Sequence, residues 1–315
     1  MKILIKAVVV AAALTTTASF AQQSEGQIHI VVPYTPGGIV DTTTRILAHQ
    51  LEHHLGQAVV VDNMPGAGGQ IGSARVVRSK PDGRTLLMSG NGIAYRQLLV
   101  DVPYDSMTQL EPISEIVSGP TVLVVNPKVP VHTLAEVLKY AKSHPFSIGN
   151  SGTYGPTSLT AEILASATGA SFTQVPYRGD SAAIADAVGG TVQASLSALS
   201  ATKAYIDAGK LRPIVVFDTK RAPAIPSVPT IGEAGYPKVI GNVWVSLLAP
   251  AGVPKATVAR LSAAISASCA DSETRKKLSA SGNTVVCGSP EQLGRILKDD
   301  YERVREHVAQ QKGKK

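Results

Sequence analysis

The stretch Val32-Pro33-Tyr34-Thr35-Pro36-Gly37-Gly38-Ile39-Val40-Asp41 joins an apolar β-type run, residues 28–32, to a helical pattern whose stripe is Leu47, Leu51 and Leu55. A strand end, a glycine-rich turn and a helix start leave backbone N–H groups at the positive end of a helix dipole, where anions are favoured. Gly37 and Gly38 carry no side chain to hold a ligand off that backbone. A tight turn with Asp41 as the helix N-cap would use the same residues. The position favours a ligand site, because open α/β sheets bind beyond the carboxyl ends of their strands.

Working outward, the same strand–loop–helix form recurs at Ile148-Gly149-Asn150-Ser151-Gly152-Thr153-Tyr154-Gly155-Pro156-Thr157-Ser158. Strands are expected at 28–32, 58–61, 85–88 and 121–125, then at 146–149, 172–175, 192–196 and 213–217. Helical patterns at 42–55, 157–168 and 181–188 lie between them, which predicts an α/β fold with a mostly parallel sheet. Pro223, Pro226, Pro229 and Pro237 break any regular element over 222–237, so the chain is expected to cross between two units there. A strand at 243–248 and three helices follow, returning to the first unit. The predicted organisation is domain I at 22–122 and 230–315 and domain II at 123–229, as befits a chain too long for one core.

The first residues, Met1-Lys2-Ile3-Leu4-Ile5-Lys6, the apolar run 7–14 and Ser19-Phe20-Ala21 have the form of a cleavable secretory signal over 1–21, which predicts export to the periplasm. Losing Lys2 and Lys6 lowers the formal charge from +7 to +5, three of those charges lie in the last four residues, and aromatics are only 4% of the chain. That balance excludes a nucleic-acid surface, which needs clustered basic residues with stacking rings. Cys269 and Cys287 are the only cysteines, and an exported chain can pair them.

Other motifs fail on spacing. Pro65-Gly66-Ala67-Gly68-Gly69-Gln70-Ile71-Gly72 has Ile71 where a dinucleotide fingerprint needs glycine, and close helix–sheet packing explains its glycines better. Ser151 lacks the flanking glycine of a nucleophile elbow at Thr153, although an exported serine hydrolase is the rival enzyme reading. His49 and His53 sit one helical turn apart without a third ligand, and Asp299 and Asp300 read as surface charge. No metal and no cofactor is expected.

Taken together the segments resemble the Bug family, the extracytoplasmic receptors of tripartite tricarboxylate transporters. The resemblance rests on 32–41 with Arg45, Gly56-Gln57-Ala58-Val59-Val60-Val61-Asp62-Asn63 running into 65–72, Pro81-Asp82-Gly83, and Pro103-Tyr104-Asp105. Pro176-Tyr177-Arg178-Gly179 and Ala249-Pro250-Ala251-Gly252-Val253-Pro254-Lys255 complete it. It implies a two-domain Venus-flytrap fold, periplasmic-binding-protein type II-like, with two crossovers and no catalysis. A small carboxylate ligand, integral membrane permease subunits as partners and a monomer are implied with it; a ligand sensor for a signalling partner would share the clamp. By position the ligand residues are Tyr34, Thr35, Gly37, Gly38 and Asp41 on one jaw, with Ser151, Thr153, Tyr177, Arg178 and Gly179 on the other. Asn91 and Arg96, in and after the turn Ser89-Gly90-Asn91-Gly92, and Ser197, where the family frequently has Asp, are added. Arg96 and Arg178 are the candidates for a second carboxylate.

Overall fold

The computed structural model describes residues 26–177, 179–280 and 282–312. The expected signal segment and Arg178 lie outside these residues.

Ten strands form one continuous sheet. In chain order they are β1 (Ile28–Val32), β2 (Val59–Asn63), β3 (Thr85–Gly90), β4 (Leu110–Val125), β5 (Ser147–Asn150), β6 (Thr173–Pro176), β7 (Ala194–Ala198), β8 (Arg212–Val216), β9 (Asn242–Pro250) and β10 (Thr284–Val285). The order across the sheet is β2-β1-β3-β9-β4-β7-β5-β6, with β8 and β10 also paired to β4. β1 illustrates why the apolar runs become strands. Ile28, Ile30 and Val32 enter one apolar cluster with Leu47, Leu51 and Leu55, while Val31 enters another with Leu87 and Trp244. A strand covered on both faces needs apolar residues at every position, whereas a half-exposed one alternates.

The sheet is not mostly parallel. β1 is parallel to β2 and β3, and β5 to β6 and β7, but β9 runs antiparallel to β3 and β4, and β4 antiparallel to β7 and β8. β9 reverses direction because the chain re-enters from the far end, after residues 217–241, which carry no named strand or helix.

β4 was expected only at 121–125, yet it spans sixteen residues. Pro112, Glu115, Gly119 and Pro120 disguise its first part. The strand accommodates them with register shifts between Pro112 and Ser114 and between Glu115 and Val117, the kind of bulge that relieves a missing N–H. Its residues 110–120 pair with β9, and 121–125 pair with β7 and β8.

The helices Lys255–Ala270 and Ser272–Ser279 contribute Leu261, Ile265, Cys269 and Leu278 to the cluster around β1 and the Ile39–Leu55 helix. The Cys269 and Cys287 sulfurs are bonded, joining the first of these helices to the segment after β10. The last helix, Pro290–Lys312, packs Leu293, Leu297 and Val304 against Trp244 and Leu159.

Asp300 of this helix is not surface charge. It is 7% exposed, accepts hydrogen bonds from Trp244 Nε1 at 2.9 Å and Asn91 Nδ2 at 3.2 Å, and pairs with Arg303 at 2.5 Å. The helical repeat could not reveal the indole that turns this position inward.

Candidate functional site

The 32–41 segment folds as its composition dictates. β1 ends at Val32, Thr35 to Gly38 are exposed, and Gly37 takes φ of 89°, a left-handed conformation that glycine adopts without strain. The Ile39–Leu55 helix begins three residues before the pattern predicted, with Gly38 as its N-cap and no side chain capping it. Asp41 does not occupy the cap. Its carboxylate, 3% exposed, accepts from Gly37 N–H and Asn63 Nδ2 at 2.9 Å each and from Arg45 Nε at 3.1 Å. Burial pushes the Asp41 carboxyl up, but the Arg45, Gly37 and Asn63 hydrogen bonds outweigh it and hold the group below its ordinary range. Asn63 also donates to Tyr34 O at 3.2 Å. Asp41 and Asn63 therefore shape the loop, leaving the N–H groups at the helix start for an anion.

The glycine-rich run 65–72 does what close packing requires. A Cβ on Gly72 would stand 2.9 Å from Met64 O and from Pro33 Cβ, so only glycine lets this helix lie on the end of β1. Arg96 lies over the same run, since a Cβ on Gly68 would come within 2.4 Å of its guanidinium. Arg96, Tyr34, Gly68, Ser73, Ser89 and Tyr104 line a depression of about 180 Å³ open to solvent. It is a side recess next to the first loop, with the Arg96 cation in its wall.

Both polar atoms of the Asn91 side chain are engaged within the protein. Its Oδ1 accepts from Trp244 N–H at 2.9 Å, and its Nδ2 donates to Asn242 O and Asp300 Oδ2 at 3.2 Å each. It ties β3 to the start of β9.

Loops after β5, β6 and β7 converge at the carboxyl ends of parallel strands. Among the described residues the partners of the Ser151 hydroxyl are Thr157 Oγ1, at 2.8 Å, and the Asp180 carboxylate, and no histidine is among them. Thr153 is exposed, and Tyr154 beside it takes φ of 60°. Asn150, 1% exposed, fixes the turn, its Oδ1 accepting from Gly152 N–H at 3.1 Å and its carbonyl from Tyr177 N–H at 3.0 Å. Tyr177 turns its hydroxyl away to Asp186 Oδ2, 2.6 Å, and that hydrogen bond together with burial pushes it up to about 12. Ser197 is wholly buried and bonds Ser195 Oγ at 2.6 Å. Gly179 takes φ of 110° and caps the Asp180–Gly189 helix without a side-chain hydrogen bond.

A common geometry emerges. Three helices, Ile39–Leu55, Pro156–Thr168 and Asp180–Gly189, start on the glycines Gly38, Gly155 and Gly179, and none of the three has a side-chain cap. Each follows a strand of a parallel pair. Their first-turn N–H groups, Pro156 having none, lack the capping side chain that serine or aspartate usually supplies.

The sequence profile of the tripartite tricarboxylate transporter family receptor matches residues 43–313. The chain belongs to this family. Protein BugT of Bordetella pertussis is 32% identical over 283 residues, covering 88% of this chain and 86% of that protein. Two solved structures from Rhodopseudomonas palustris are similar throughout. One holds adipate, with a TM-score of 0.81 at 32% identity, over 92% of this chain and 98% of that one. The other, MatC, holds malate, with a TM-score of 0.81 at 27% identity, over 90% and 99%. This tripartite tricarboxylate transporter receptor thus has the α/β periplasmic-binding-protein fold expected from the sequence, in a family of periplasmic solute receptors.

Asn63, Asn150 and Asp180 were not singled out from sequence. Asn63 and Asn150 each end a strand, at β2 and β5, and that placement was the available signal.

Proposed function

We propose that this chain is a periplasmic receptor that closes two lobes, residues 22–122 with 230–315 and residues 123–229, on a small carboxylate and delivers it to the membrane permease of a tripartite system. The observation that carries the reading is the set of three uncapped glycine helix starts, Gly38, Gly155 and Gly179, at the carboxyl ends of β1, β5 and β6. Neutral backbone donors beside positive dipole ends suit a carboxylate. The exposed loop 35–38 takes the carboxylate, Asp41 and Asn63 hold that loop in shape, and Arg96 supplies the positive charge beside it. Ser151, Thr153 and Gly179 belong to the opposite lobe. The malate and adipate held by the two related proteins set the size class.

The test is calorimetric titration of the purified mature chain with four- to six-carbon mono- and dicarboxylates, malate and adipate among them, alongside small-angle scattering. Binding with compaction is expected. An exported chain that binds no member of the series would refute the reading.

A further inference from the structure

Asp180 is the first residue of its helix but does not cap it. Its carboxylate turns instead toward β7, where Oδ2 accepts a long hydrogen bond of 3.4 Å from Ala198 N–H. The Ser197 and Ser151 hydroxyls stand beside it and partly satisfy its charge, while each also bonds a second hydroxyl, Ser195 Oγ at 2.6 Å and Thr157 Oγ1 at 2.8 Å. Oδ1 has no contact with solvent and no hydrogen-bond partner among the described residues. Burial, against the opposing pull of Ala198 N–H, Ser197 and Ser151, pushes the group up to about 6. A carboxylate with an unfilled acceptor in a desolvated place is destabilising unless a donor arrives.

The backbone next to Asp180 is open. A Cβ on Gly179, the residue before Asp180, would meet nothing within 4 Å, and the same holds for Gly37 and Gly38 of the first loop. Asp180 follows β6, Ser151 follows β5 and Ser197 ends β7, so the carboxylate stands at the carboxyl ends of the second unit's strands. Ala198 pairs with Thr121 of β4, next to the strand's change of partner, so the group lies near the middle of the sheet.

We propose that Asp180 is a specificity-determining acceptor that recognises a hydrogen-bond donor, a hydroxyl or an amino group, on the part of the ligand remote from its carboxylate. The receptor then selects hydroxy- or amino-carboxylates against plain dicarboxylates, whose second carboxylate would face Asp180 charge to charge. This rests on the carboxylate-receptor reading. It gives the two ends of the ligand different partners, backbone N–H groups with Arg96 at one and Asp180 at the other.

The experiment is calorimetric titration at pH 7.5 of the mature chain, Asp180→Asn and Asp180→Ser. The probes are two matched sets: butyrate, 4-hydroxybutyrate, 4-aminobutyrate and succinate, and hexanoate, 6-hydroxyhexanoate, 6-aminohexanoate and adipate. In the parent, a hydroxy or amino acid should bind at least tenfold more tightly than the diacid of equal length. In both variants that preference should collapse to within threefold, with the diacid binding more tightly than it does to the parent. A parent that prefers the diacid, or a preference unchanged in both variants, would overturn the proposal and leave the carboxylate receptor standing. Failure of every acid to bind the parent would overturn the receptor reading and the proposal with it. Asp180→Ser keeps a small polar residue at a helix start, so its binding ratios remain readable should Asp180→Asn fold poorly.

Discussion

Glu115 offers a quantitative test of the fold. It lies in β4 at 4% exposure, in register with Ser246 of β9, whose hydroxyl has no partner among the described residues. Burial, opposed by the Ser118 hydroxyl and reinforced by the nearby Asp300 carboxylate, pushes Glu115 from 4.5 up to about 7. The folded chain thus holds this proton more tightly than the unfolded chain does. Between pH 4.5 and 7 the folded state therefore binds the extra proton, so stability falls as pH rises through that window and levels above it. At about 1.4 kcal/mol per tenfold in proton affinity, the gap between 4.5 and about 7 amounts to roughly 3 kcal/mol. Glu115→Gln removes the titrating proton and keeps the shape. In urea denaturation at pH 5, 6, 7 and 8, the variant should be about as stable as the parent at pH 5 and more stable by up to roughly 3 kcal/mol at pH 8. A difference between the two proteins that does not change with pH would refute the reasoning, because it would mean Glu115 is ionised alike in both states.

Three further outcomes are expected. Asp41→Asn should weaken carboxylate binding about tenfold or more in calorimetry, since hydrogen bonds to a charged group contribute about 1.5–3 kcal/mol each and the loop loses its anchor. In circular dichroism it should melt cooperatively. Arg96→Gln should weaken mono- and dicarboxylates alike, by about tenfold, because its cation lies beside the first loop; a loss confined to dicarboxylates would place Arg96 at the ligand's far end instead. Mass spectrometry of unreduced periplasmic protein should find Cys269 and Cys287 bonded, and the paired Cys→Ser variant should lose about 3 kcal/mol for a separation of 18 residues.

Much of the fold was legible because its information is local. The apolar runs of β1, β5 and β8 and the stripe of Leu47, Leu51 and Leu55 appear in the sequence at their own period. The first eleven residues of β4, 110–120, were not legible. Two prolines, a glycine and a buried glutamate mask the strand, and only β9, more than a hundred residues away, makes it one. The site divides in the same way. Glycine-rich turns show where backbone N–H groups are exposed. Which side chains are used up elsewhere, as with Asn91 on Trp244 and Tyr177 on Asp186, depends on partners that no local pattern encodes. Nothing local marks Asp180, because what sets it apart is the end of β7 beside it.

The strand order carries a consequence for how the chain is made. β9 sits between β3 and β4, yet it is assembled after the whole of β5 to β8. As the polypeptide emerges N-terminus first, β1, β2 and β3 appear early and wait with one sheet edge open. β4 can dock on that edge only once β9 arrives to lie between them. The intervening segment closes its own strands on the end of β4 and can form sooner. A chain of this design therefore waits with an apolar, unfinished edge at β3 exposed, the condition that invites mispairing with other chains. The waiting time is set by the number of residues between β3 and β9, so insertions in the second unit slow completion of the first even where they touch none of its contacts.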